Sequence, residues 1–200
     1  VEPSLALCEL IRDTAVRLNL PIEVVQGVGE QLANLQRSDF DIVIFNSSLH
    51  HCDDPTLAIA QARACLKPSG SLYLVNENML KPWQTQAGYY RRLAADPIGM
   101  GHYGGNEHSY HNFTYVGLLR KSFARVELLV PRAGSAIEDL DMLLSRRVDG
   151  ARVYASNARV LTRYIYYILR EKLRHAPWLY GLLGRASIVP VHFKASVPTS

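Results

Sequence analysis

Phe40-Asp41-Ile42-Val43-Ile44-Phe45-Asn46-Ser47-Ser48-Leu49-His50-His51 is the stretch on which the reading of this 200-residue chain turns. From Asp41 to Phe45 the run is continuous in β-branched and aromatic residues. That is the pattern of a strand buried on both faces, as in a parallel sheet. Asp54 followed by Pro55 is a helix start, a capping carboxylate before proline at the first helical position. Ala58, Ile59, Ala62, Cys65 and Leu66 form the buried stripe of that helix. Lys67-Pro68-Ser69-Gly70 is expected to stop it, and Ser71 to Val75 is the next strand. Strand, helix and strand at these lengths make a βαβ unit with a right-handed crossover.

Upstream, Ser4 is expected to cap a helix with an apolar face of Leu7, Leu10, Ile11, Ala15 and Leu18. Ile22 to Val25 is a predicted short strand closed by Gly27. Downstream, residues 78–111 hold scattered Gly, Pro, Trp, Tyr and His with little periodicity, as in a functional loop. Phe113 to Phe123 is a predicted helix and Ala124 to Val130 a strand. Residues 137–185 are expected to be largely helical. Ser187 to Val197 is a last strand, with Pro190 pointing to an edge position.

Hydrophobic residues make up 48% and charged residues 20% of the chain. These values exclude disordered, collagenous and disulfide-scaffold classes. Three irregularly placed cysteines, Cys8, Cys52 and Cys65, form neither a disulfide framework nor a zinc motif, and fit a reducing cytoplasm. No apolar run reaches the length of a membrane span. The charge is divided unevenly. Residues 1–150 carry 14 Lys and Arg against 17 Asp and Glu, a net −3. Residues 151–200 carry 8 against 1, a net +7. Such a basic block points to an anionic partner.

Four pieces of the first 80 residues, in their order and spacing, resemble the class I S-adenosylmethionine-dependent methyltransferases that act on small molecules. Val1-Glu2-Pro3-Ser4 resembles the acidic end of that family's second strand, where the acid binds the cofactor's ribose hydroxyls. Val24-Val25-Gln26-Gly27-Val28-Gly29-Glu30 resembles the loop that covers the adenine. The stretch from Phe40 to His51 is similar to the fourth strand and its exit. Leu66-Lys67-Pro68-Ser69-Gly70-Ser71-Leu72 is similar to the turn into the fifth strand. The resemblance implies an α/β, Rossmann-like, doubly wound and mostly parallel sheet with an antiparallel last strand. It also implies S-adenosylmethionine as cofactor and Glu2, Val28, Gly29, Glu30, Asn46 and His50 as its contacts.

Two departures stand out. The family's glycine-rich loop is absent and would lie before residue 1, so the chain is expected to be truncated, without its first strand and first helix. Val28 stands where the family often has an Asp to bind the adenine amino group; valine can only pack on the ring. Gly99-Met100-Gly101-His102-Tyr103-Gly104 matches a phosphate-loop pattern but follows no strand, so it fails the context test.

On this reading residues 1–131 are a partial methyltransferase core with a lid insertion at 78–111. Residues 132–200 form a helical extension with a basic helix and a final strand. Asn106-Glu107-His108-Ser109-Tyr110-His111 is the most polar knot of the lid. His108 is the candidate base for an oxygen or nitrogen acceptor, with Glu107 orienting it or binding substrate. No metal is expected.

In the tail, Arg159, Arg163, Tyr166, Arg170 and Arg174 fall within an arc of about 80° on a helix. Leu161, Tyr164, Ile165 and Ile168 lie opposite and are expected to pack on the domain or a partner subunit. The basic stripe is expected to meet an anionic or sugar-linked acceptor, or an acidic membrane surface; no motif supports nucleic acid. The expected function is methyl transfer to a small-molecule acceptor. A fold-retaining subunit without cofactor use is the alternative.

Overall fold

The computed structural model describes residues 1–95, 106–130, 145–148, 151–154, 157–173 and 175–197. A four-stranded sheet organises them. Strand β1 (Phe40–Asn46) pairs in parallel with β2 (Leu66–Val75), with Ile42 opposite Ser71 and Asn46 opposite Val75. The last strand, His192–Ser196, lies antiparallel between β2 and β3 (Arg125–Leu129). The sheet is therefore α/β, with three strands in one direction and the last reversed, in agreement with the resemblance.

Local sequence explains the crossover. Helix α1 is Leu5–Arg17 and α2 is Pro55–Cys65. The Asp54 carboxylate accepts from the Thr56 and Leu57 amides, so the orphan donors at the start of α2 are satisfied. Ala58, Ile59, Ala62 and Cys65 are all buried, as their spacing requires. They join Phe45, Leu72, Leu74, Tyr115 and Phe193 in one core.

Several expectations need correction. Gly70 does not end α2 in a loop: β2 starts at Leu66, directly after the helix, with an irregularity in its register against β1. Strand β1 is not buried on both faces. It has one partner strand among the described residues, and Ile42 and Ile44 are exposed. Helix α1 forms behind its Ser4 cap, but its buried residues are Cys8 and Ala15, and Leu7, Leu10 and Leu18 face solvent. Ile22 to Val25 forms no strand; the extended chain there makes a single bridge, Glu2 to Gln26.

Helices α3 (Gln86–Ala94) and α4 (Asn112–Leu119) follow. The helical expectation over 137–185 is met only in part. A hairpin of β4 (Ser145–Val148) and β5 (Ala151–Tyr154) precedes α5 (Asn157–Leu173) and α6 (Pro177–Arg185). His192–Ser196, numbered β6, is an inner strand rather than an edge, and Pro190 lies before it, where no ladder bond is lost.

Helix α5 is turned the opposite way from the expectation. Tyr166 and Arg170 of the basic stripe point inward, whereas Leu161, Tyr164, Ile165 and Ile168 are exposed. The Lys81 ammonium is the reason. It donates to the Tyr166 hydroxyl at 2.8 Å and to the Ile188 carbonyl at 3.0 Å, and so fixes that face of α5 against the loop after β2. Arg159, Arg163 and Arg174 lie outside the described side chains, and the Gly99–Gly104 pattern outside the described residues. Among the described residues no helix is long and apolar enough to cross a membrane. Cys8, Cys52 and Cys65 are free, buried thiols.

Candidate active site

At the carboxyl end of β1 the chain leaves the sheet through Ser47, which has a left-handed φ of 51°. Asn76 leaves the end of β2 in the same way, with φ 56°. The Asn76 amide donates to Asn46 Oδ1 at 2.9 Å and ties the two strand ends together. A non-glycine residue in this region carries strain, and such residues gather at ligand clamps. Here the turn directs three successive backbone amides at one carboxylate. Ser48, Leu49 and His50 N–H donate to Glu77 at 3.1, 3.2 and 3.1 Å. The His50 ring adds a fourth contact, Nδ1 to Glu77 Oε2 at 2.7 Å. Both side chains are buried. These donors offset the cost of desolvating the charge.

His51 faces the other way and keeps 32% of its side chain exposed. Its Nδ1 lies 2.7 Å from the Asn106 carbonyl oxygen and 3.2 Å from Glu107 Oε2. A ring nitrogen this close to a carbonyl oxygen must donate. The proton of the neutral imidazole is therefore on Nδ1, and Nε2 carries a lone pair. Glu107 is buried and oriented through its other oxygen, which accepts from the Tyr89 hydroxyl at 3.1 Å and from Asn78 Nδ2. Among the described residues Glu107 Oε2 has no hydrogen-bond partner, and it stands 3.2 Å from His51 Nδ1. The Asn106 amide donates to the His51 carbonyl at 2.6 Å and to Asp53 Oδ1 at 2.8 Å. The His108 N–H reaches the His50 carbonyl at 3.1 Å. Residues 106–108 are thus fastened along 50–53.

Beside this cluster lies a cavity of about 1150 Å³, lined by Glu2, Val28, Gly29, Glu30, Asn46 and His51 among others. Glu2 is held there by backbone pairing, its N–H to Val25 O and Gly27 N–H to its own carbonyl, both at 3.1 Å. Its Oε1 accepts from the Ser4 amide at 2.9 Å. Gly29 is required by close approach. A Cβ there would stand 3.0 Å from the Phe45 ring, 3.1 Å from Cys52 Sγ and 3.3 Å from Ala58 Cβ. Glu30 Oε1 accepts from the Asp54 amide at 3.1 Å, which ties this part of the wall to the start of α2. Burial and the charge of Glu30 push the Cys52 thiol up to about 12, so it stays protonated and is no nucleophile.

The sequence candidates are therefore distributed between two places. Glu2, Val28, Gly29, Glu30 and Asn46 share the cavity wall, and His50 does not. Glu107 and His108 are neighbours in sequence but not partners. Glu107 meets His51, whereas His108 Nδ1 contacts the Tyr90 hydroxyl at 2.6 Å. Glu77 was not singled out as a site residue. His51 entered only as half of the histidine pair at the strand exit, and Asn106 only as the first residue of the polar knot. His50, His51 and Glu107 bring possible ligand atoms within 4.8 Å of one another. His51 Nδ1, however, is engaged as a donor to Asn106, which favours proton handling over metal ligation at that atom.

An open α/β sheet with a cavity at its strand ends, walled by a carboxylate and a close-packed glycine, is the Rossmann-like arrangement in which ligands bind outside the carboxyl ends of the strands. Residues 1–74 match the family described as methyltransferase domain. That match spans 74 of the 200 residues, and it agrees with the fold the sheet defines. No curated protein matches the chain.

Among solved structures, the chain is similar to a methyltransferase-fold protein from Bacillus halodurans. The identity is 16%, with 76% of this chain and 75% of that one covered and a TM-score of 0.50. A SAM-dependent methyltransferase from Thermotoga maritima aligns with 23% identity, covering 66% of this chain and 58% of its own, at a TM-score of 0.44. The chain thus spans little more than half the length of that relative.

Proposed function

We propose that this protein transfers a methyl group from S-adenosylmethionine to an oxygen or nitrogen of a small-molecule acceptor, with His51 accepting the proton the acceptor loses. The observation that carries the reading is the His51 tautomer: Nδ1 donates to the Asn106 carbonyl at 2.7 Å, and the ring lines the cavity. When bound, S-adenosylmethionine supplies an electrophilic methyl carbon, so no protein nucleophile is required. The cavity residues fit that cofactor. The Glu2 carboxylate can accept from a ribose diol, and the exposed Val28 side chain offers a flat apolar contact for a base.

The chain's own residues then have distinct tasks. Glu77 fixes the loop that carries both histidines. Asn106 sets the His51 tautomer, and the Glu107 carboxylate stabilises the imidazolium once Nε2 has taken its proton. Most of the acceleration comes from holding the acceptor in line with the methyl carbon. His108, whose Nδ1 contacts the Tyr90 hydroxyl at 2.6 Å, is the second candidate for that proton.

Isothermal titration of the full-length protein with S-adenosylhomocysteine tests the cofactor half of this reading. Binding weakened about tenfold by Glu2→Gln supports it, since one charge-assisted hydrogen bond to a diol is worth about 1.5 kcal/mol. No binding to the full-length protein would leave a methyltransferase fold serving as a binding subunit.

A further inference from the structure

The outward faces of the last two helices are not explained by methyl transfer. Leu161, Tyr164, Ile165, Ile168 and Leu169 of α5 lie within an arc of about 140°, and all are exposed, Leu161 by 59%. On α6 the exposed residues are Trp178, 75% accessible, and Leu182, one turn further on the same side. Neither helix is held by these residues. α5 is attached through Tyr166, Arg170 and Leu173, and α6 through Tyr180 and Gly184. Each apolar strip ends in an exposed cation, Lys172 on α5 and Arg185 on α6. The surrounding segment, residues 151–200, holds 8 Lys and Arg and a single acid, Glu171.

We propose that this face docks the protein peripherally on an anionic lipid bilayer. Two features favour that occupant. Aliphatic residues with an indole and basic ends are the composition that lies at the boundary between headgroups and acyl chains. The exposed Lys172 and Arg185, on the same sides as the two apolar strips, complement an acidic leaflet. Neither helix can span, so attachment is at the surface. The inference stands apart from the catalytic proposal and uses none of its residues.

Vesicle flotation with the full-length protein tests it, comparing phosphatidylcholine vesicles with vesicles that also contain phosphatidylglycerol. In a Trp83→Phe background the emission of Trp178 reports insertion directly. The expected result is binding to the anionic vesicles only, with a blue shift of Trp178. The combined substitution Leu161→Ser, Ile165→Ser and Leu182→Ser should lower the partition coefficient at least tenfold. Lys172→Glu with Arg185→Glu should lower it more than fivefold. These are surface positions, and an unchanged far-UV spectrum checks that the variants fold. Equal binding to both vesicle types, or none, overturns the proposal. So does a dimer in solution that the same serine substitutions dissolve, since a second copy would then cover the face.

Discussion

His51 Nδ1 and the Asn106 carbonyl oxygen stand 2.7 Å apart, and this contact connects the exit of β1 to the loop 55 residues further along the chain. The ring lines the cavity. Substituting His51→Gln is expected to reduce kcat by about 10²–10⁴-fold, the range of a lost general base. Binding of S-adenosylhomocysteine should remain. Steady-state kinetics of both proteins check this, and the same assay on His108→Gln compares the two histidines.

Glu77 accepts from three backbone amides and one imidazole with its side chain almost fully buried. Glu77→Gln replaces one acceptor oxygen by a donor that faces other donors. The expected loss of stability is about 2–4 kcal/mol, from unmade charge-assisted hydrogen bonds and donors left buried. Urea unfolding measures it; a loss below 1 kcal/mol would show that the loop does not depend on this carboxylate.

Gly29 sits where an added Cβ meets Phe45, Cys52 and Ala58 at 3.0–3.3 Å. Its φ is not in the left-handed region, so the effect of Gly29→Ala is packing alone. The expected cost is about 1–2 kcal/mol, as for other overpacked sites. Displacement of the cavity wall should also weaken S-adenosylhomocysteine severalfold. Thermal unfolding and titration calorimetry separate the two effects.

Burial, with the nearby Arg170 charge, pushes the Lys81 ammonium down to about 8 from an ordinary 10.5. The folded state therefore binds fewer protons at this site than the unfolded state between those values. Stability should rise with pH from about 8 to 10, by on the order of 1–3 kcal/mol. Below pH 8 both states are charged and this dependence vanishes. Lys81→Met should flatten the rise. Urea midpoints of both proteins at pH 8 and pH 10 provide the comparison, and parallel curves would contradict it.

Much of the sheet was legible along the chain. The Asp54-Pro55 start, the Ala58 to Cys65 stripe and the two strands beside it are local patterns that a helix or strand satisfies with its own residues. The cavity wall was legible too, because the pieces carrying Glu2, Gly29 and Asn46 keep family order and spacing, and the sheet brings them to one end. The hairpin of β4 and β5 was missed within the stretch expected to be helical. The inward turn of Tyr166 and Arg170 was missed because an amphipathic pattern shows that a helix has two faces, not which one meets a neighbour.

By itself, then, the sequence determined the α/β class, the helix starts and the pieces that carry the carboxylate and glycines of the cavity wall. These depend on periodicity, capping and backbone freedom, which act over a few residues. Only the tertiary structure decided that His51, rather than His108, is the ring at the cavity, that Glu107 serves it, and that α5 turns its apolar face outward. Each of these rests on a long-range partner, Asn106 for His51 and Lys81 for Tyr166. A contact between residues 55 or 85 positions apart is fixed by packing, and leaves no periodicity in the chain.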